Sequence, residues 1–135
     1  MINEISDNKI RAFYDLEVWK EAHDLVLLTY KTTKSFPSEE VFGLVSQMRR
    51  AAVSVTSNIA EGFGRTSLNE KIRFYTIARG SLTELQNQLF VARDISYLTS
   101  EDSQNIERRI VRTLMMLHRL IASLTEKLHT RTTNP

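Results

Sequence analysis

The chain contains no cysteine. That excludes disulfides, thiolate-bound zinc and a cysteine nucleophile, and it fits a reducing compartment. Only 2 prolines and 4 glycines interrupt 135 residues, so few positions force a turn. No segment sustains the period-two alternation of a half-buried strand, and no apolar run approaches the ~20 residues that span a bilayer. Aromatic residues are sparse, at 8%, and fall mostly at core spacing, which argues against a platform for stacking bases. The polar, acidic start Met1-Ile2-Asn3-Glu4-Ile5-Ser6-Asp7 is unlike a signal peptide. These absences leave one helical domain, large enough to bury its own core, expected to be cytoplasmic and to have no membrane partner.

What remains has helical period, and four helices can be read from it. The first is expected from about 15 to 35, with Leu16, Trp19, His23, Val26 and Tyr30 on one face. Phe36-Pro37 ends it, because the residue before proline avoids the helical region. The second presents Val45, Met48, Ala52, Val55 and Ile59 at spacings of three and four. The third, about 68 to 95, carries Lys71, Tyr75, Ala78, Leu82, Leu85, Leu89 and Ala92 as a near-heptad seam. The fourth begins near Thr99-Ser100-Glu101-Asp102 and aligns Ile106, Ile110, Leu114, Leu117, Ile121, Leu124 and Leu128. Short links between long helices predict an all-α, antiparallel up-down-up-down four-helix bundle over residues 14–129. Residues 1–13 are expected to be a flexible N-terminal segment, and 130–135 a frayed C-terminal tail.

Asn58-Ile59-Ala60-Glu61-Gly62-Phe63-Gly64-Arg65 marks a tight corner between the second and third helices. Gly62 and Gly64 offer the left-handed conformations that close a helix. Ser67-Leu68-Asn69-Glu70 then reads as a capping box. Glu61, close to a helix C-terminus that disfavours an anion, calls for a cationic partner in Arg65 or Arg50. With Asn58 it forms a structural corner: Asn58, Glu61, Gly62 and Gly64. Gln47, Arg50, Ser54, Asn58 and Glu61 share a sector of about 90° away from the apolar face.

Charge is uneven although the net is only +2. Residues 1–60 hold 7 Lys/Arg against 8 Asp/Glu, and residues 61–135 hold 11 against 8, nine of the eleven being Arg. Arginine suits phosphate or carboxylate, so Arg49, Arg50, Arg65, Arg73 and Arg79 are candidates for a polar interface or a nucleic-acid contact. A solvated helix surface accounts for the same bias. On the third helix, Ile72 and Phe90 point away from the main stripe and, with Arg79, Thr83, Gln86 and Tyr97, make a mixed second face. Ile72, Gln86, Phe90 and Tyr97 are therefore expected at an oligomer interface.

No catalytic residue, metal site or cofactor site is expected. The histidines His23, His118 and His129 lack the spacing of helical zinc ligands and read, for His23 and His118, as core histidines with a hydrogen-bond partner. Glu17, Glu21 and Asp24 read as a solvated face. Gly62-Phe63-Gly64 follows a helix and lacks the Lys-Ser/Thr of a phosphate loop.

The chain resembles a bacterial family of four-helix bundle proteins, some of them encoded in intervening sequences of large-subunit ribosomal RNA genes. The likeness runs through Asp15-Leu16-Glu17-Val18-Trp19-Lys20-Glu21-Ala22-His23, Phe36-Pro37, Phe42-Gly43-Leu44 and Gln47-Met48-Arg49-Arg50-Ala51-Ala52-Val53-Ser54. It continues through Asn58–Arg65, Arg73-Phe74-Tyr75 and Ala78-Arg79-Gly80-Ser81-Leu82-Thr83-Glu84-Leu85, and includes Ala92. It implies a bundle that assembles as a homopentamer, in a family of largely unestablished molecular function. A related group of pentameric bundles serves retroelement reverse transcriptases and binds nucleic acid through a basic surface, which the near-neutral charge here does not match. An older ribosomal-protein label also attaches to the family, and no ribosome-binding feature is seen in this sequence. The expectation is a non-enzymatic homo-oligomer that associates with RNA or DNA. The alternative is an adaptor for a protein partner.

Overall fold

A computed structural model describes residues 9–133. Residues 1–8 and 134–135, which belong to the terminal segments expected to be flexible or frayed, lie outside the described residues. Four helices follow one another: α1 (Glu17–Thr33), α2 (Leu44–Gly64), α3 (Leu68–Asp94) and α4 (Ser100–Thr133). Two 3-10 turns, Phe13–Asp15 and Ser38–Glu40, precede α1 and α2. Each helix packs on the next, and α1 closes the bundle against α4. α2 and α3 make the most extensive contact. Along that seam Gly62 meets Tyr75 and Ser54 meets Ser81, so numbers fall on one helix as they rise on the other. Along the α1–α4 seam Asp24 meets Arg109 and Glu21 meets Arg112, again in antiparallel sense. This is the four-helix bundle the periodicity predicts.

The core uses the expected stripes on three helices. Val45, Met48, Ala52, Val55 and Ile59 of α2 are buried, as are Tyr75, Ala78, Leu82, Leu85, Leu89 and Ala92 of α3. On α4, Ile106, Ile110, Leu117, Ile121 and Leu124 are buried, and Thr113 joins them. α1 differs from expectation. Its buried face is Val18, Ala22, Leu25, Val26, Thr29, Thr32 and Thr33, whereas Tyr30 is exposed and Trp19 and His23 are only partly covered. The face lies about a quarter turn from the one expected. Threonine is the reason: Thr29 Oγ1 donates to Leu25 O and Thr33 Oγ1 to Thr29 O, both at 2.7 Å, so neither hydroxyl is left unpaired in the core. Phe13 and His23 instead sandwich Trp19 at the surface, His23 stacking at 4.6 Å between ring centroids.

Local hydrogen bonds set the helix starts. Ser67 Oγ accepts from Glu70 N at 3.1 Å, but the Glu70 carboxylate turns outward to Arg73 at 3.3 Å, so only half of the expected capping box forms. Thr99 Oγ1 accepts from Asp102 N at 3.1 Å and starts α4. Before α1, Asp15 Oδ2 accepts from the Arg11 and Ala12 amides at 3.0 Å each, and those two donors hold its carboxyl below the ordinary range. α4 is helical through Thr133, past the end expected near 129.

Candidate nucleic-acid and subunit interfaces

The corner between α2 and α3 is built by close packing. Among the described residues, no glycine has a positive φ. Gly62 and Gly64 are the closing residues of α2 itself. What Gly62 provides is space: a Cβ there would lie 2.8 Å from Tyr75 Cε1 and 3.1 Å from Phe74 Cβ. Tyr75 is buried against this point, and burial pushes its phenol above the ordinary range. A Cβ at Gly64 would meet nothing within 4 Å. The last carbonyls of α2 are satisfied from α3, because Lys71 Nζ donates to Phe63 O at 2.7 Å and to Gly62 O at 3.2 Å. This explains how a lysine belongs to the apolar stripe of α3: its stem lies on the core and its ammonium caps the neighbouring helix. Desolvation lowers its pKa from the ordinary lysine value.

Further along the seam, Asn58 Nδ2 donates to Ser54 O at 2.8 Å, and Ser54 Oγ and Ser81 Oγ are hydrogen-bonded at 2.8 Å. Glu61 finds its cation in Arg65 at 3.1 Å, on the surface. Asn58 and Glu61 are thus tied to their own surroundings. Gln47, Arg50, Ser54 and Glu84 line a shallow groove between α2 and α3.

The five candidate arginines do not share one surface. Arg49 closes the C-terminus of α1: Nε donates to Thr33 Oγ1 at 3.0 Å, Nη2 to Tyr30 O at 3.3 Å, and the guanidinium lies over the Tyr30 ring. Arg49→Met should therefore cost about 1–2 kcal/mol of stability in thermal or urea unfolding, whatever it does to binding. Arg65 and Arg73 flank the Phe74 ring at 4.8 and 5.4 Å, each also paired with a glutamate. Arg79 reaches α4, its Nη1 donating to His118 Nδ1 at 3.4 Å. Arg50 has no ion pair among the described residues.

Of the residues expected at an oligomer interface, Ile72 and Tyr97 pack partly against the chain's own core. Tyr97 lies on Phe36 at 5.3 Å; desolvation, with Glu40 and Glu39 adding to it, raises its phenol pKa. Gln86 and Phe90 are half-buried on α3, Phe90 beneath Arg93. Among the described residues, the most exposed large apolar side chain is Phe42, at 96%. It stands between α1 and α2 beside a groove of about 690 Å3 lined by Tyr30, Phe36, Val41, Arg49 and Val53. In the sequence Phe42 stands only within the family-like segment Phe42-Gly43-Leu44, and nothing in periodicity marks the ring as exposed.

Glu21 and Asp24, read as a solvated face, meet arginines of α4. Arg112 lies 3.5 Å from Glu21, while Arg109 lies 3.7 Å from Glu21 and 3.8 Å from Asp24. His118 sits on the surface and His23 on Trp19, so neither is the core histidine expected. Among the described residues, no three His, Cys, Asp or Glu side chains are grouped to hold a metal, and no helix is long and apolar enough to cross a membrane.

A protein of unknown function from the S23 ribosomal protein family of Bacteroides thetaiotaomicron VPI-5482 has a similar crystal structure. Its TM-score is 0.70 at 20% identity, over 77% of this chain and 97% of that one. At that identity the likeness speaks for the fold alone. Among curated proteins, none matches the chain. The family model of the 23S rRNA-intervening sequence proteins matches residues 14–119, and the chain belongs to that family.

Proposed function

We propose that the protein acts by association and not by catalysis, as a homo-oligomeric helical scaffold that associates with nucleic acid. A pentamer is the assembly that the family resemblance implies, and a cytoplasmic location accords with the cysteine-free composition. The observation that carries self-association is Phe42. A phenylalanine ring that is 96% exposed, next to Val41 at 49% and an apolar groove, is surface that a monomer leaves wet at a cost. Covering one such ring contributes roughly 1.5–3 kcal/mol.

Light scattering on the full chain and on Phe42→Asp tests this. The wild-type mass should be a multiple of 15.6 kDa, and the variant should fall to smaller species with an unchanged helical circular-dichroism spectrum. A wild-type mass of one chain would overturn self-association. The same groove favours a second reading, an adaptor for another protein, because Lys34, Arg49 and Arg50 give it a basic lining suited to an acidic segment.

A further inference from the structure

We infer that the outward face of α4, rather than the five arginines named from the sequence, is the surface that tracks a nucleic-acid phosphate backbone. The inference rests on the nucleic-acid part of the proposed function and places it on the molecule. Between Glu107 and Glu126, α4 holds no acidic residue, while it carries Arg108, Arg109, Arg112 and Arg119. At 100° per residue, Arg108, Arg112, Met115 and Arg119 fall within about 60° of one another, diametrically opposite the buried Ile110 and Leu117. Arg108, Arg112 and Arg119 are all exposed, the Arg112 side chain at 73%. With a rise of 1.5 Å per residue they extend over about 17 Å of straight helix.

Their partners leave the guanidiniums available. Arg119 has no ion pair among the described residues, and Arg108 donates only to the neutral Asn105 side chain. Arg112 lies 3.5 Å from Glu21, whose side chain is only 14% exposed, but Arg109 shares that carboxylate oxygen at 3.7 Å and the Arg112 side chain itself stays 73% exposed, open to a phosphate. On the α1 side Arg109 is held by Glu21 and Asp24 and bounds the strip there. On the α3 side Arg79 is brought to its edge by His118, whose Nδ1 accepts the hydrogen bond. A line of like charge this long fits a linear polyanion better than a compact acidic peptide. The exposed Val111 and Met115 beside the arginines can lie against sugar without competing for phosphate.

The test uses the full-length chain at its native assembly, titrated into fluorescently labelled stem-loop RNA, single-stranded RNA and duplex DNA over a series of NaCl concentrations. Arg112→Gln/Arg119→Gln should weaken binding at least tenfold at low salt. It should also flatten the log–log salt dependence by about two phosphate contacts, with mass and melting temperature unchanged. Lys20→Gln/Lys31→Gln removes the same charge from α1 and should do neither. If the wild type binds and the α4 variant keeps both affinity and slope, the placement on α4 is overturned while the nucleic-acid reading stands. If the assembled wild type binds none of the three probes at low salt, both fall. A loss of mass in Arg112→Gln/Arg119→Gln without any wild-type binding would reassign the strip to a protein contact, which also overturns the inference.

Discussion

Gly62→Val should destabilise the folded chain by about 2–3 kcal/mol, whereas Gly64→Ala, two residues on in the same helix, should leave it unchanged or slightly more stable. Both glycines are helical and neither needs a positive φ, so backbone freedom does not separate them. Space does. At Gly62 the first carbon of any side chain lies 2.8 Å from one Tyr75 ring carbon and 3.0 Å from another, and Tyr75 is itself 3% exposed with nowhere to turn. The neighbouring contact, Phe74 Cβ at 3.1 Å, belongs to the rigid stem of a side chain. Relief therefore requires α2 and α3 to move apart along their whole seam, the most extensive helix contact in the bundle. The helix-propensity gain on replacing glycine is under ~1 kcal/mol and cannot offset this. Urea unfolding of the two variants beside wild type would check it. A Gly62→Val midpoint equal to wild type would show that the seam is not held by this close approach.

The contrast shows what the sequence could and could not disclose. A glycine in sequence has two meanings, a left-handed turn or a close neighbour, and only the partner helix decides between them. The third helix was legible because Tyr75, Ala78, Leu82, Leu85, Leu89 and Ala92 recur at three and four with nothing to compete. The face of the first differs from its pattern because Thr29 and Thr33 look polar in a string of letters, yet each donates its hydroxyl to the carbonyl four residues back on its own helix. The candidate arginines follow the same logic. Arg49 looks like a free cation until α1 ends against it, and Glu21 looks solvated until Arg109 and Arg112 arrive from 88 and 91 residues away. The strip on α4 had a readable signal, an acid-free interval with arginines spaced four and seven apart. Net charge summed over halves of the chain hides it, because the excess lies along one helix face.

Lys71→Met should cost about 1–2 kcal/mol, even though methionine suits an apolar stripe better than an ammonium does. Two effects oppose each other. Burial disfavours the charged form, as the lowered pKa records, and methionine removes that cost. The sign follows from the shift. A lysine whose folded pKa lies below 10.5 carries its desolvation cost at all pH values below the folded pKa, and sheds it as pH rises toward the unfolded value. Against this stand two hydrogen bonds from a charged donor to the end of α2, each in the range of roughly 1.5–3 kcal/mol. Gly62 O keeps a second donor in Arg65 N at 3.3 Å, so methionine orphans chiefly Phe63 O. One lost charged bond and one unsatisfied carbonyl outweigh the relieved desolvation, because the ammonium is only partly removed from water. Thermal melts of Lys71→Met at neutral pH and near pH 10 would decide the balance. The penalty should be larger near pH 10, where wild type has begun to shed its desolvation cost and methionine has none to shed, and a variant more stable than wild type at both values would mean that Lys71 contributes its stem and not its charge.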